Sequence, residues 1–260
     1  MGFDIDQAAS ASQPRAEWLK EFVGSDGLFT RGFRIYYGGR TVPAVLWTNQ
    51  KPGPKPLVLL CHGGSQHKAS DEMVARAVQV LGHLDCVVAA IDGPIHGERR
   101  EKLEVGPGRQ AEFLTMWRND PLIDYVVDDW KAALDVLLQL DDVDPSRVAW
   151  YGVSMGTAYG VPLLAKEPRI GAAVLGMWGA DYTNSERIRS DACSVSCPVL
   201  FQQKWDDSLF TRAGQIELFD LLGNHQKWLN VYPGTHTIVS RMVDDAALFL
   251  SEQLRDVSRP

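Results

Sequence analysis

Short apolar runs alternate with longer amphipathic stretches from residue 57 onward. The runs LVLLC (57–61) and CVVAAID (86–92) have the length of buried strands, whereas the stretches between such runs repeat apolar residues at intervals of three and four. Parallel strands need crossover connections of about a dozen residues or more, which are usually helices. The alternation therefore predicts an α/β fold with a mostly parallel central sheet and helices on both faces.

An antiparallel hairpin is predicted before this alternation begins. FRIYYGG (33–39) and RTVPAVLWT (40–48) are rich in β-branched and aromatic residues, and they meet at Gly38-Gly39, a pair typical of tight hairpin turns. The cluster KPGPKP (51–56) then breaks the pattern and separates the hairpin from the strands that follow. We therefore expect an N-terminal antiparallel hairpin beside the parallel sheet.

The remaining elements follow from the same patterns. Further strands are predicted at about 147–152, 170–178, 197–203 and 227–233. Helices are predicted at about 70–82, 121–140, 157–166, 212–223 and 237–254. Pro121 fits the first turn of its helix, and Pro162 is tolerable if it also lies in a first turn.

Length and composition favour one folded domain over residues 1–260. The chain is 45% hydrophobic and 23% charged, which is close to the average of folded proteins and excludes the disordered and fibrous classes. Two polar inserts, 97–120 and 180–196, carry few strand signals. We expect these inserts to be cap or substrate-facing pocket loops.

Charge and hydropathy narrow the range of partners. The formal net charge of -7 argues against nucleic acid and anionic membranes, because both attract basic surfaces. No apolar run approaches the ~20 residues of a membrane span, and the N-terminus does not resemble a secretory signal, so a cytoplasmic protein is expected. The sequence leaves the oligomeric state open, homo-oligomers included.

The four cysteines show no CxxC spacing. Cys61 and Cys86 lie in apolar runs and are predicted to be reduced, buried thiols. Cys193 and Cys197 are close enough for a disulfide or a metal site, but no second ligand pair follows them, so free thiols are expected here too. We therefore predict neither a metal nor an organic cofactor.

A G-x-S-x-G motif, Gly152-Val153-Ser154-Met155-Gly156, stands directly between a predicted strand and a predicted helix. A serine in such a turn occupies a strained backbone position, and the flanking glycines remove side chains that would collide with the neighbouring strand and helix. The turn raises the hydroxyl above the carboxyl edge of the sheet. This context predicts that Ser154 is a nucleophile.

Together with two other motifs, this turn resembles the α/β-hydrolase family, specifically small bacterial esterases related to the dienelactone-hydrolase group. The motifs are His62-Gly63-Gly64 after one strand and Asp92-Gly93-Pro94-Ile95-His96-Gly97-Glu98-Arg99 after the next, and the resemblance runs from about residue 41 to the end. It implies an α/β-hydrolase fold. It also implies an oxyanion hole formed by the backbone N–H groups of Gly64 and Met155, with Ser65 as an alternative to Gly64.

The family's chain order of serine, acid and histidine selects the base. His236 lies in a strand-to-helix loop downstream of both other groups, whereas His62, His67 and His96 precede the serine and are expected to be structural, pocket or surface residues. His225 lies just before the last strand and is expected to face solvent.

The acid is expected just after the strand at 197–203. The family often shows Gly, two residues, Asp, two residues and an apolar residue, which selects Asp207 and leaves Asp206 as the alternative. Lys204 stands where that pattern has glycine. Trp205, next to the acid, and Ser65 are predicted to contribute to the substrate pocket.

These residues predict a serine hydrolase that cleaves small-molecule carboxylic esters through an acyl-enzyme intermediate. The alternatives are an oligopeptidase-like peptidase, another enzyme on the same fold, or a binding protein that has lost activity. The cluster Glu98-Arg99-Arg100-Glu101 could clamp a substrate carboxylate, but local ion pairs are the expected role of such a run.

Overall fold

The strands of the computed structural model, which describes residues 13–24, 27–100 and 103–255, form one sheet. The order across the sheet is β1-β2-β3-β5-β4-β6-β7-β8-β9. The strands are β1 (Arg15–Val23), β2 (Phe29–Tyr37), β3 (Arg40–Thr48), β4 (Lys55–Leu60), β5 (Val87–Ile91), β6 (Val143–Tyr151), β7 (Ala172–Gly176), β8 (Val199–Lys204) and β9 (Lys227–Tyr232).

Helices cover both faces of this sheet. They are α1 (Asp71–His83), α2 (Pro107–Asn119), α3 (Ile123–Leu137), α4 (Met155–Leu164), α5 (Glu186–Ala192), α6 (Arg212–Leu221) and α7 (Ser240–Gln253). Buried side chains of α1 and α7 form one apolar cluster with the sheet, and those of α2 to α6 form another. The sheet therefore has a core on each face, as parallel sheets require.

The structure confirms the predicted α/β-hydrolase fold with its mostly parallel sheet. Neighbouring strands from β5 through β4, β6, β7 and β8 to β9 are parallel. The hairpin of β2 and β3 is antiparallel, and its turn at Gly38-Gly39 has φ angles of 53° and 74°. These left-handed values suit glycine and explain why the two strands meet at this pair.

Four elements were not predicted from the sequence: β1, the short 3₁₀ helix at Gly97–Arg99, α2 and α5, of which α5 (Glu186–Ala192) lies inside the polar insert 180–196. β1 (Arg15–Val23) pairs antiparallel with β2 and extends the hairpin to three strands, although its residues are mostly polar or exposed. Its anchor is Trp18, whose ring lies 4.7 Å from that of Phe33. α2 (Pro107–Asn119) lies inside the polar insert 97–120, where only Phe113, Leu114 and Trp117 supply a short apolar face.

The expectation for Pro121 was wrong, and the condition set for Pro162 is not met. Helix α3 begins at Ile123 after Leu122, whose φ of 50° is left-handed, so Pro121 precedes the helix instead of lying in its first turn. Helix α4 begins directly after Ser154, which puts Pro162 near the C-terminal end of the helix rather than in its first turn. Its missing N–H costs one helical hydrogen bond in a helix that is otherwise stabilised by complete burial.

The four cysteines are free thiols, as predicted. Cys61 and Cys86 are buried, and burial raises the pKa of both thiols. Among the described residues, no helix is both long enough and apolar enough to cross a bilayer.

Gly160 is the glycine of α4 that has the least room for a side chain. A Cβ atom there would lie 2.4 Å from Trp150 Nε1 and 3.1 Å from Leu175 Cδ2. Gly160→Ala must displace the buried indole, so we expect the free energy of unfolding to fall by about 1–3 kcal/mol, measured by urea denaturation.

Gly82→Ala in α1 is the matched control, because a Cβ at Gly82 has no atom within 4 Å. This change should raise the free energy of unfolding by about 0.5 kcal/mol through helix propensity alone. Equal effects of the two substitutions would contradict the close packing assigned to Gly160.

Candidate active site

Ser154 occupies the turn between β6 and α4 in a strained conformation, with φ 58° and ψ -120°. Its backbone N–H donates to Gly176 O at the end of β7 over 2.9 Å. The flanking glycines are required by close approach, because a Cβ on Gly152 would lie 2.9 Å from Gly156 Cα, and one on Gly156 would lie 3.2 Å from Cys61 Cβ. The turn thus presents the serine hydroxyl at the carboxyl edge of the sheet.

The three side chains selected from the sequence lie in one chain of hydrogen bonds. Ser154 Oγ is 2.9 Å from His236 Nε2, and His236 Nδ1 is 2.8 Å from Asp207 Oδ2. The geometry fits the imidazole tautomer in which Nδ1–H donates to the carboxylate and Nε2 accepts from the serine hydroxyl. In this arrangement the histidine can remove the serine proton.

The structure brings Asp207, and not Asp206, to the histidine. The Asp207 side chain is buried, and its Oδ1 accepts hydrogen bonds from the backbone N–H groups of Leu209 (2.8 Å) and Phe210 (3.1 Å). These bonds leave Oδ2 to face His236. Asp206 is exposed.

Lys204, which departs from the family's glycine, is buried at the end of β8. Its Nζ donates to Pro233 O, which lies in the loop that carries His236. Burial lowers the pKa of Lys204, while the nearby charge of Asp207 raises it. The lysine therefore joins the end of β8, which leads to Asp207, to the loop that carries His236.

The loop after β4 lines the same cavity as Ser154, through Gly63, Gly64 and Ser65. In the described part of the chain, neither Gly64 N–H nor Met155 N–H has a hydrogen-bond acceptor. His62 Nδ1 donates to Gly63 O over 2.8 Å, and that carbonyl belongs to the same peptide group as Gly64 N–H. This bond fixes the direction in which Gly64 N–H points.

A second buried histidine supports the same loop. His96 Nε2 donates to Gly64 O over 3.1 Å, and its ring packs edge-on to His62 at 4.8 Å. His62 Nε2 in turn accepts from Gly93 N–H at 2.9 Å. Burial lowers the pKa of each histidine to about 3, so both rings are neutral near pH 7.

A cavity of about 420 Å³ opens in front of Ser154 and His236. Ser65 lines this cavity, and so does Gln110 from the unpredicted helix α2. Trp205 is not among the lining residues. Trp205 is 48% exposed, and the guanidinium carbon of Arg212 lies 3.7 Å from the centre of its ring.

The rest of the cavity wall was missed from the sequence. It comes from one face of α1 and from the start of α7 with the preceding loop. These residues include Glu72, Ala75, Arg76, Gln79, Ile238, Ser240 and Val243. The contribution of α1 could have been predicted, because α1 directly follows the His62 loop. Its first turns therefore lie at the same edge of the sheet as Ser154.

Three residues of the charge cluster, Glu98, Arg99 and Arg100, form ion pairs, as expected, whereas Glu101 lies outside the described residues. Arg99 Nη2 donates to Asp129 Oδ2 over 2.5 Å, and Arg100 pairs with Glu112 of α2. Glu98 accepts from Lys68 Nζ over 2.6 Å. Across residues 13–24, 27–100 and 103–255, no group of three or more His, Cys, Asp or Glu side chains could hold a metal ion.

Several solved structures are similar to this chain. A cold-adapted esterase from an Arctic intertidal metagenomic library, in its PEG-bound complex, is 35% identical, with 92% of this chain and 100% of that chain covered and a TM-score of 0.81. An acetyl xylan esterase from Paenibacillus sp. R4 is 15% identical, with 93% and 89% covered and a TM-score of 0.69, which supports the fold. No family model and no curated protein sequence matches the chain.

The fold and the site geometry define an α/β hydrolase. The identity and full coverage of the Arctic esterase go further: this chain belongs to the α/β-hydrolase family, among esterases of the dienelactone-hydrolase-like kind. The protein is a hydrolase that acts on ester bonds.

The two buried neutral histidines predict an acid-sensitive fold. In the unfolded chain a histidine titrates near 6.5, so below that pH the unfolded state binds protons that native His62 and His96 do not. Their contribution is fully present above about pH 6.5 and is lost as the pH falls toward 3, with a slope of about 1.4 kcal/mol per pH unit for each histidine.

Urea denaturation between pH 7 and pH 4.5 measures this slope. His96→Gln keeps a donor near the position of Nε2 and should reduce the slope by about 1.4 kcal/mol per pH unit. His225→Gln, at an exposed position, should leave the slope unchanged. An unchanged slope in His96→Gln would show that native His96 takes up the proton.

Proposed function

We propose that the protein hydrolyses carboxylic esters through an acyl-enzyme intermediate on Ser154. The observation that carries this proposal is the pair of hydrogen bonds from Ser154 Oγ to His236 Nε2 (2.9 Å) and from His236 Nδ1 to Asp207 Oδ2 (2.8 Å). A serine hydroxyl at its ordinary pKa is a weak nucleophile, and an oriented base removes that limit. In this proposal His236, held by Asp207, is the oriented base for Ser154.

In the first half of the reaction, Ser154 Oγ attacks the ester carbonyl carbon while His236 Nε2 takes the hydroxyl proton. The tetrahedral intermediate then collapses. The bond to the alcohol oxygen breaks, and His236 returns the proton to the leaving alcohol. Asp207 stabilises the imidazolium that exists between these two proton transfers and holds the ring in the required tautomer.

In the second half, water replaces the alcohol. His236 removes a proton from the water, the water oxygen attacks the acyl carbon, and the bond to Ser154 Oγ breaks as the proton returns to the serine. The products are a carboxylic acid and the regenerated enzyme. No metal or organic cofactor takes part in either half.

The oxyanion of both intermediates is bound by the backbone N–H groups of Gly64 and Met155. Both groups lack an acceptor in the described residues, and the His62 hydrogen bond to Gly63 O holds the first of them in place. Such preorganised donors act on charge that develops only in the transition state, and one donor contributes about 3 kcal/mol. Ser65 N–H, in the same loop, is the alternative to Gly64.

An ester substrate is favoured over a peptide or a non-catalytic role. The solved structures that resemble this chain include an Arctic esterase and an acetyl xylan esterase. A binding protein has no need of a hydroxyl, an imidazole and a carboxylate in hydrogen-bonding order. We propose that the partner of the site is a small-molecule ester and that the 97–120 insert shapes its pocket through Gln110.

The two neighbouring aspartates provide a sharp test of this assignment. Asp207→Asn cannot hold the productive tautomer or stabilise the imidazolium, so kcat for a 4-nitrophenyl ester should fall by a factor on the order of 10³ or more. KM should change little, because the carboxylate does not contact the substrate. Steady-state kinetics against the wild type measure both constants.

Asp206→Asn is the matched control, since the same chemical change is made one residue away on an exposed side chain. Its kcat should stay within about twofold of the wild type, and Ser154→Ala should mark the baseline of uncatalysed turnover. Loss of activity in Asp206→Asn with retention in Asp207→Asn would reject the proposed acid.

A further inference from the structure

Three successive carbonyl groups just before His236 accept hydrogen bonds from the end of β8 and the residues that follow it. The pairs are Trp205 N–H to Tyr232 O (2.8 Å), Lys204 Nζ to Pro233 O, and Asp206 N–H to Gly234 O (3.2 Å). The first and third donors are backbone groups, which any residue except proline supplies. The middle donor is a side chain, so this bond depends on the lysine itself.

Lys204 carries its charge in a buried side chain. Only 2% of the residue is exposed, and a buried ammonium costs several kcal/mol unless it is paired or hydrogen-bonded. Pro233 O is its one hydrogen-bond acceptor among the described residues, and the negative charge that favours the ammonium is that of Asp207. The ammonium is therefore stabilised by the two parts of the chain that carry the base and the acid.

The loop that carries His236 is exposed where Lys204 binds it. Pro233, Gly234 and Thr235 all face solvent, and Gly234 has a left-handed φ of 90°. An exposed loop with little packing opens more readily than the core, so its hydrogen bonds determine its position. A Cβ atom on Gly234 would lie 3.6 Å from Lys204 Nζ, which places the ammonium directly against the turn that leads into His236.

We propose that Lys204 is a positioning residue for catalysis, which holds His236 at the distance from Ser154 Oγ that proton transfer requires. It acts through the Pro233 carbonyl, because Lys204 does not line the cavity. His236 Nε2 lies 2.9 Å from Ser154 Oγ, and displacing such groups by about 1 Å costs about 100-fold in rate. The inference rests on the proposed function, since it assigns Lys204 to the base of that mechanism.

Lys204→Met removes the donor and the charge but keeps a long side chain. The kcat for 4-nitrophenyl butyrate, per folded enzyme, should fall about 10- to 100-fold, because His236 is no longer held within reach of the serine hydroxyl. KM should stay within about twofold of the wild type, because Lys204 does not contact the substrate. Steady-state kinetics, with the folded fraction measured by circular dichroism, give both constants.

Lys55→Met is the matched control. Lys55 is 4% exposed and its Nζ also donates to backbone carbonyls, those of Lys51 and Gly53, but it lies at the start of β4, at the opposite edge of the sheet. Each change removes one buried charge and its hydrogen bonds, so both should destabilise the fold. The kcat of Lys55→Met, per folded enzyme, should nevertheless stay within about twofold of the wild type.

Lys204→Ala provides a second variant and a rescue experiment. The atoms that it removes beyond Cβ correspond to n-propylammonium, so about 50 mM of this cation should raise kcat about fivefold or more by restoring the donor. Tetramethylammonium has the charge but no N–H donor and should not raise kcat. The wild type in the same solutions corrects for direct aminolysis of the ester.

The positioning role is overturned if folded Lys204→Met keeps the kcat of the wild type, if Lys55→Met loses as much kcat, or if n-propylammonium leaves the kcat of Lys204→Ala unchanged. If Lys204→Met does not fold, Lys204→Ala is folded in the presence of n-propylammonium, and its kcat should fall when the cation is diluted.

Ser154→Ala separates this inference from the proposed function. If Ser154→Ala hydrolyses the ester as fast as the wild type, the proposed function itself is rejected. A fully active Lys204→Met beside an inactive Ser154→Ala would reject only the role of Lys204.

Discussion

The strained backbone at Ser154 is the constraint around which the site is built. A serine with φ near +58° is disfavoured by about 1–3 kcal/mol relative to an ordinary turn residue, so the surrounding structure must hold it there. Thr157 Oγ1 donates to Gly176 O (2.6 Å) and accepts from Gly176 N–H (2.7 Å), which ties the first turn of α4 to the end of β7. The burial of all of α4 holds the turn from the other side. Because these contacts hold the turn, Ser154 keeps its strained backbone conformation and its hydroxyl stays in place.

The parallel sheet determines where the other groups meet that hydroxyl. The His62 loop follows β4, Asp207 follows β8 and His236 follows β9, so all of them leave the sheet at its carboxyl edge, as Ser154 does after β6. The distances between these groups are then set by strand order rather than by sequence separation. Side-chain hydrogen bonds refine the arrangement, such as the one by which Lys204 joins the loops of Asp207 and His236.

Much of this arrangement is readable from the sequence because it depends on local patterns. Apolar periodicity predicts the parallel strands and most helices, and the glycines around Ser154 and at Gly38-Gly39 mark turns that have a steric requirement. The preference for Asp207 over Asp206 follows from the spacing pattern of the family that the sequence resembles. The residues that specify each of these features lie within a few positions of it in the sequence.

The features that escaped prediction depend on distant contacts. β1 is a mostly polar strand that forms by pairing with the edge of β2. Helix α2 is held in place by Phe113, which packs against Gly64 in a loop that is distant in the sequence. Trp205 stands next to the acid in sequence, yet its ring contacts Arg212 rather than the cavity. From the sequence, Arg76 resembles an exposed helix arginine, because only the fold places α1 beside Ser154.

The acyl-enzyme on Ser154 is the most direct test of the proposed chemistry. Mixing the enzyme with a 4-nitrophenyl ester, quenching within milliseconds and mapping the peptides by mass spectrometry would locate the acyl group. The proposed mechanism predicts an initial burst of about one equivalent of nitrophenolate and one acyl group, attached to Ser154. Acylation of a different residue, or linear product release from the first turnover with Ser154 unmodified, would contradict it.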